Sequence, residues 1–114
     1  MQDQETVLRL AQLLYDRKAQ DITVMNVSHL TVLCEYMVIA SGRTDNQVSS
    51  LADSVDEKMS RDGIHLRRSE GQREGRWVIL DYGDVVVHVF QTPYRSFYRL
   101  EDLWADAPRK AYED

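Results

Sequence analysis

Trp77, Asp81 and His88 interrupt a valine-rich segment, WVILDYGDVVVHVF at residues 77–90, where an imidazole and a carboxylate in one hairpin could bind a metal or move a proton. A metal site needs a third protein ligand, and Asp84, the nearest carboxylate, falls in the turn. His29 and His65 lie in other segments, so no metal or other cofactor is expected. Cys34 and Ser41 are candidate nucleophiles, but nothing in the sequence fixes a base beside either. Ser41-Gly42 ahead of a helix start could turn backbone amides toward an anion, although a lone Ser-Gly falls far short of a phosphate-binding loop. The expectation is a protein that is not an enzyme.

A binding role fits the same residues better. A turn at Gly83-Asp84 pairs Tyr82 with Val85 and, counting back, Trp77 with Phe90. Alternation then gives one face of Val78, Leu80, Tyr82, Val85, Val87 and Val89, the composition of a core layer. The other face holds Trp77, Ile79, Asp81, Val86, His88 and Phe90, a mixture suited to a contact surface. The competing reading has Trp77 and Phe90 covering a loop or the tail, with Asp81 and His88 solvated. Downstream, YRSFYRLEDLW adds Arg95, Tyr98 and Trp104 as further candidate anchors.

The elements that must position these residues follow from periodicity and caps. Residues 3–20 place Val7, Leu10, Ala11, Leu13 and Leu14 on one side of an amphipathic helix. DITVMNV and EYMVIAS read as neighbouring strands separated by the polar SHLT region. Thr44 and Gln47 form a capping box for a second helix, whose Val48, Leu51, Ala52, Val55 and Met59 share a face and whose end is marked by Gly63. Residues 64–69, carrying Arg67 and Arg68, read as a charged edge strand, followed by a turn at residues 70–75. Pro93 ends the last strand and starts a helical turn, and Leu100, Leu103 and Trp104 read as docked before Pro108 and a charged terminus that frays. The expected fold class is α/β (α+β): one domain over residues 1–108, a mixed sheet of about five strands with helices mainly on one face, then a tail over residues 109–114.

Composition sets the outer bounds. A chain of 114 residues with 43% hydrophobic and 29% charged residues is an ordinary globular domain. No apolar run approaches the length of a membrane span, and the acidic start MQDQETVLRL does not resemble a signal peptide, so a cytoplasmic location is expected. The single cysteine, Cys34, reads as a small buried hydrophobe in a reducing compartment. A formal net charge of −5 disfavours a nucleic-acid backbone as direct partner and suits a basic protein.

Taken as a set, W-V-x-L-D-x-G-D-V-x-V-H followed by R-x-x-Y-x-L-E-x-L-W, with DITVMNVSHLT, EYMVIASGRTDNQVSSLADSV and Glu70-Gly71 upstream, closely resembles the ribosomal silencing factor (RsfS, Iojap-like) family over nearly the whole chain. The resemblance implies an αβ domain akin to the nucleotidyltransferase fold without its catalytic carboxylate pair; here Ser41-Gly42 is followed by Asp45, Asn46 and Gln47. It implies binding to the large ribosomal subunit through ribosomal protein L-fourteen, which obstructs joining of the small subunit and lowers translation when nutrients are scarce. The motif positions it carries over are Trp77, Asp81, His88, Arg95, Tyr98, Leu100, Glu101 and Trp104. Of these, Trp77, Asp81 and His88 are expected as sheet-face contacts, with Tyr98, Leu100 and Glu101 extending the patch and Trp104 either docking the tail or touching the partner. A degenerate nucleotide site at Ser41, Gly42 and Asp45 is the alternative, and a homodimer of the free protein is a third possibility.

Overall fold

The computed structural model describes residues 2–112, without the side chains at positions 2, 3, 97, 98 and 103. The chain runs α1 (Gln2–Asp16), β1 (Gln20–Asn26), β2 (Tyr36–Gly42), α2 (Asp45–Arg61), β3 (Arg68–Glu70), β4 (Trp77–Asp81), β5 (Val85–Gln91), α3 (Thr92–Tyr98), α4 (Leu100–Leu103) and β6 (Arg109–Ala111). The strands form a six-stranded sheet in the order β3-β4-β5-β2-β1-β6. Its centre is the parallel pair β2 and β5, while β1 pairs antiparallel with β2 and β4 antiparallel with β5. This is the expected α+β domain with a mixed sheet.

Helices α1 and α2 cover one face. The stripe of Val7, Leu10, Ala11, Leu13 and Leu14 is buried with Val48, Leu51, Ala52, Val55 and Met59 of α2, against Val38, Ala40, Val78, Leu80, Val85, Val87 and Val89 of the sheet. The valine-rich row of the final hairpin thus faces this core, as alternation required. The hairpin register is also as expected: Trp77 lies opposite Phe90 and Asp81 opposite Val86, and the Tyr82 amide donates to the Val85 carbonyl across a turn in which Gly83 takes φ 94°.

Helix α2 starts where the capping box placed it. Thr44 Oγ1 accepts from the Gln47 amide at 3.1 Å, but Gln47 Oε1 reaches one residue further back than the usual box, to the Arg43 amide at 2.6 Å. Replacing Thr44 with Ala should cost about 1 kcal/mol, read as a lower urea midpoint with an unchanged slope.

Three boundaries differ from the sequence reading. Helix α1 stops at Asp16 rather than extending to residue 20, because Lys18 turns left-handed at φ 67° and the Ala19 amide bonds back to the Leu14 carbonyl. The edge strand is only Arg68–Glu70; Ile64 and Leu66, expected within it, pack instead as partly buried residues against the main core. The terminus expected to fray contributes a sixth strand, since Arg109–Ala111 hydrogen-bond to the otherwise open edge of β1, Thr23 lying opposite Ala111. Residues 109–111 therefore belong to the sheet rather than to a tail.

Candidate functional site

The second face of the sheet, opposite the two long helices, carries the candidate residues. Met25, Val27, Cys34, Met37, Ile39, Phe90 and Ala107 form a buried cluster there, and Trp77, Val86, Tyr94, Leu100 and Trp104 pack around it partly exposed. The segment after β5 returns over this face, so the layer is half covered rather than open. His88 (5% exposed) and Phe90 (fully buried) are consequently core residues, a correction to their expected place on a contact surface. Alternation had assigned them to the right face; what covers that face comes from residues 94–107, which hairpin alternation does not report.

Trp77 is braced from beneath by this layer. Its ring stacks on Phe90 with centroids 4.9 Å apart, and its indole Nε1–H donates to His88 Nδ1 at 3.0 Å. That bond requires a neutral imidazole with its proton on Nε2. Nε2 is buried without a partner among the described residues, and burial pushes the imidazole pKa down to about 4. Gly71, at φ 89°, lets the preceding turn close on the strand: a Cβ there would lie 2.0 Å from the Trp77 carbonyl oxygen. Trp77 is thus held from three sides while its own ring stays half-exposed.

The other predicted residues divide between framing and bracing. Asp81 is half-buried and occupied locally, with Oδ1 accepting from the Gly83 amide at 2.8 Å and Oδ2 lying 3.5 Å from Arg68 Nε. Leu100 and Trp104 rim the second cluster, and the Trp104 indole nitrogen is buried without a partner among the described residues. The side chain of Tyr98, at the end of α3, lies outside the described residues.

Arg95 and Glu101, expected as a contact anchor and a patch extension, turn inward. Arg95 Nε and Nη2 grip Glu101 as a fork at 2.9 and 3.1 Å; Nη1 donates to the Asp21 carbonyl (2.6 Å) and Ser41 Oγ (2.9 Å), and Nη2 also to Thr23 Oγ1 (3.2 Å). The side chain, 13% exposed, thereby joins β1, β2, α3 and α4 at the end of the sheet. The same pair holds the Glu101 carboxyl below its ordinary pKa. Arg109 closes α4 by donating to the carbonyls of Glu101 and Trp104. An open cavity of about 630 Å³ at this corner is lined by Arg95, Arg99, Glu101, Asp102, Ser41 and Thr92 among others, with its cations and carboxylates largely satisfied by one another.

Ser41, the candidate nucleophile, is 1% exposed and accepts its hydrogen bond from a guanidinium, which offers it no base. Cys34 is buried in the second cluster, and burial, then the carboxylates of Asp81 and Asp84, push its thiol pKa up, the opposite of what a reactive thiolate requires. Sequence reasoning missed two things here. One is the polar seat of Arg95 on Asp21, Thr23 and Ser41, which no local spacing encodes. The other is the loop between β1 and β2, read as polar from SHLT, where Leu30, Val32 and Leu33 are exposed.

The fold and the site define a small α+β domain whose notable surface is an aromatic sheet face framed by its own C-terminal segment. The family model described as "Ribosomal silencing factor during starvation" matches residues 1–114, and the chain belongs to that family. Ribosomal silencing factor RsfS of Bacillus subtilis is 38% identical over 107 residues, covering 93% of this chain and 91% of that protein. A crystal structure of a Chromobacterium violaceum protein superposes with a TM-score of 0.89 at 40% identity, covering 92% of this chain and 88% of the other. One from Bacillus halodurans superposes at 0.85 with 32% identity, covering 96% and 99%. Among the described residues no helix is long and apolar enough to cross a membrane.

Proposed function

We propose that this ribosomal silencing factor docks on the large ribosomal subunit through the basic ribosomal protein L-fourteen and, by standing there, blocks joining of the small subunit and so represses translation. The observation that carries this reading is the row Trp77, Ile79 and Asp81 on β4 beside Val86 on β5: each is half-buried, and Trp77 is clamped by His88 and Phe90 behind it. A pre-ordered aromatic on a rigid strand loses little side-chain entropy when a partner covers it, which is what an interface anchor requires. The mechanism is steric and needs no catalytic group. An interface of about 800 Å² per partner suffices to place a domain of this size across an intersubunit contact. The acidic balance of the chain, −5, would hasten encounter with a basic ribosomal protein.

Sedimentation of ribosomes with added protein tests the proposal. Free subunits should rise at the expense of joined ribosomes, and the protein should travel with the large subunit. Trp77→Ala should weaken that association by about tenfold or more while leaving the domain folded. A protein that stays at the top of the gradient, with joining unaffected, would refute the reading.

A further inference from the structure

Three of the five exposed large hydrophobic residues among the described residues lie in the loop between β1 and β2. Val32 is 102% exposed, Leu33 81% and Leu30 44%. Scattered exposed aliphatics are ordinary on a soluble domain, but three within four residues of one loop form a local patch.

The loop is held in shape. At its base the Val27 amide donates to the Glu35 carbonyl at 2.9 Å, and the Leu30 and Thr31 amides donate back to the Val27 carbonyl. The Leu33 amide donates to Thr31 Oγ1 at 3.1 Å. The Glu35 and Tyr36 amides both donate to the Asp84 carbonyl, at 2.8 and 3.0 Å, which ties the loop to the β4–β5 turn. At its two ends Val27 and Cys34 are buried in the second cluster, the one around which Trp77 and Val86 pack. The apolar tip therefore rises from the margin of the same sheet face, in a braced conformation, with exposed Glu35 and Asp84 and half-buried Asp81 nearby.

We propose that this loop is a second anchor for the same partner: Val32 and Leu33 enter an apolar recess on a basic protein, while the acidic margin at the β4–β5 turn, with exposed Asp84, faces the cations around it. The inference rests on the reading that the Trp77 face docks a ribosomal protein, with which the loop is continuous. Charge decides the occupant. Carboxylates beside an aliphatic tip repel phosphates, which excludes ribosomal RNA as the surface they meet. Two copies of this chain would set acids against acids.

The test compares the parent, Val32→Ser/Leu33→Ser, Asp84→Asn and Trp77→Ala for binding to purified large subunits and to protein-free ribosomal RNA. The serine pair should weaken subunit binding by about tenfold or more with an unchanged unfolding midpoint, because both side chains are already in solvent. The amide variant should slow association and flatten its salt dependence. Serine variants that bind like the parent while Trp77→Ala fails would overturn the loop proposal and leave the docking reading standing. A parent that binds no large subunits removes both. Equal parent affinity for the protein-free RNA would overturn the protein assignment. So would a serine pair that abolishes self-association in light scattering yet leaves subunit binding intact.

Discussion

Replacing Arg95 with alanine is expected to destabilise the domain by about 3–5 kcal/mol, the range for removing one partner of a largely buried charge network. The side chain is 13% exposed, and its fork on Glu101 is joined by bonds to Asp21, Thr23 and Ser41. Without it, Glu101 loses its fork and the Asp21 carbonyl its charged donor, and Arg109 is left as the cation acting on the Glu101 carboxyl. Arg95→Lys should recover less than half of the loss, because one ammonium cannot span a carboxylate fork and two strands together. Glu101→Gln, which keeps an acceptor oxygen, should cost less than Arg95→Ala. Urea unfolding at neutral pH measures all three, and an Arg95→Ala variant within about 0.5 kcal/mol of the parent would refute the assigned role. The pH dependence supplies a second readout. Arg95 lowers the Glu101 pKa from its ordinary 4.5, so the pair's stabilisation is present above that pH and fades as acid protonates the folded carboxyl. Arg95→Ala should lack that acid-range loss.

The same network shows where sequence reading stops. Gly83, the Tyr82–Val85 pairing and strict alternation made the hairpin register legible, because strand period and turn chemistry are local. The Thr44 cap and the α2 core stripe were legible for the same reason. Arg95 reads as a surface anchor from the sequence because its partners Asp21, Thr23 and Ser41 come from β1 and β2, more than fifty residues earlier in the chain. Alternation places His88 on the correct face, yet its burial (5% exposed) depends on what packs over that face, Trp77 among it, which strand period does not encode. Strand β6 was hidden because Arg109, Lys110 and Ala111 are all exposed, and what recruits them is the backbone edge of β1 rather than any side-chain pattern. The exposure of Val32 and Leu33 beside a polar SHLT is not legible in the sequence, since apolar residues in a loop carry no periodicity to say which way they face.

His88 should make the domain acid-sensitive well above the range where carboxylates titrate. Burial lowers its pKa from 6.5 to about 4. In the unfolded chain the imidazole takes up a proton near the higher value, while in the folded protein it stays neutral until the lower one. Between the two the unfolded state binds more protons, so stability is full above pH 6.5 and declines as pH falls toward about 4. The loss should reach about 2 kcal/mol between roughly pH 7 and pH 5, and about 3 kcal/mol by pH 4. His88→Gln removes the titrating group and can still offer an acceptor to the Trp77 indole. Its unfolding free energy should be lower than the parent's at neutral pH but flatter across the same interval. Below pH 4 a protonated Nδ1 would become a donor facing the Trp77 Nε1–H, so the 3.0 Å bond that orders the indole must break. Trp77 fluorescence should therefore change in the parent before global unfolding and not in His88→Gln. Parent stability that is constant from pH 7 to pH 5 would show that His88 is solvated. Trp77 would then lack the rigid support on which its use as an anchor depends.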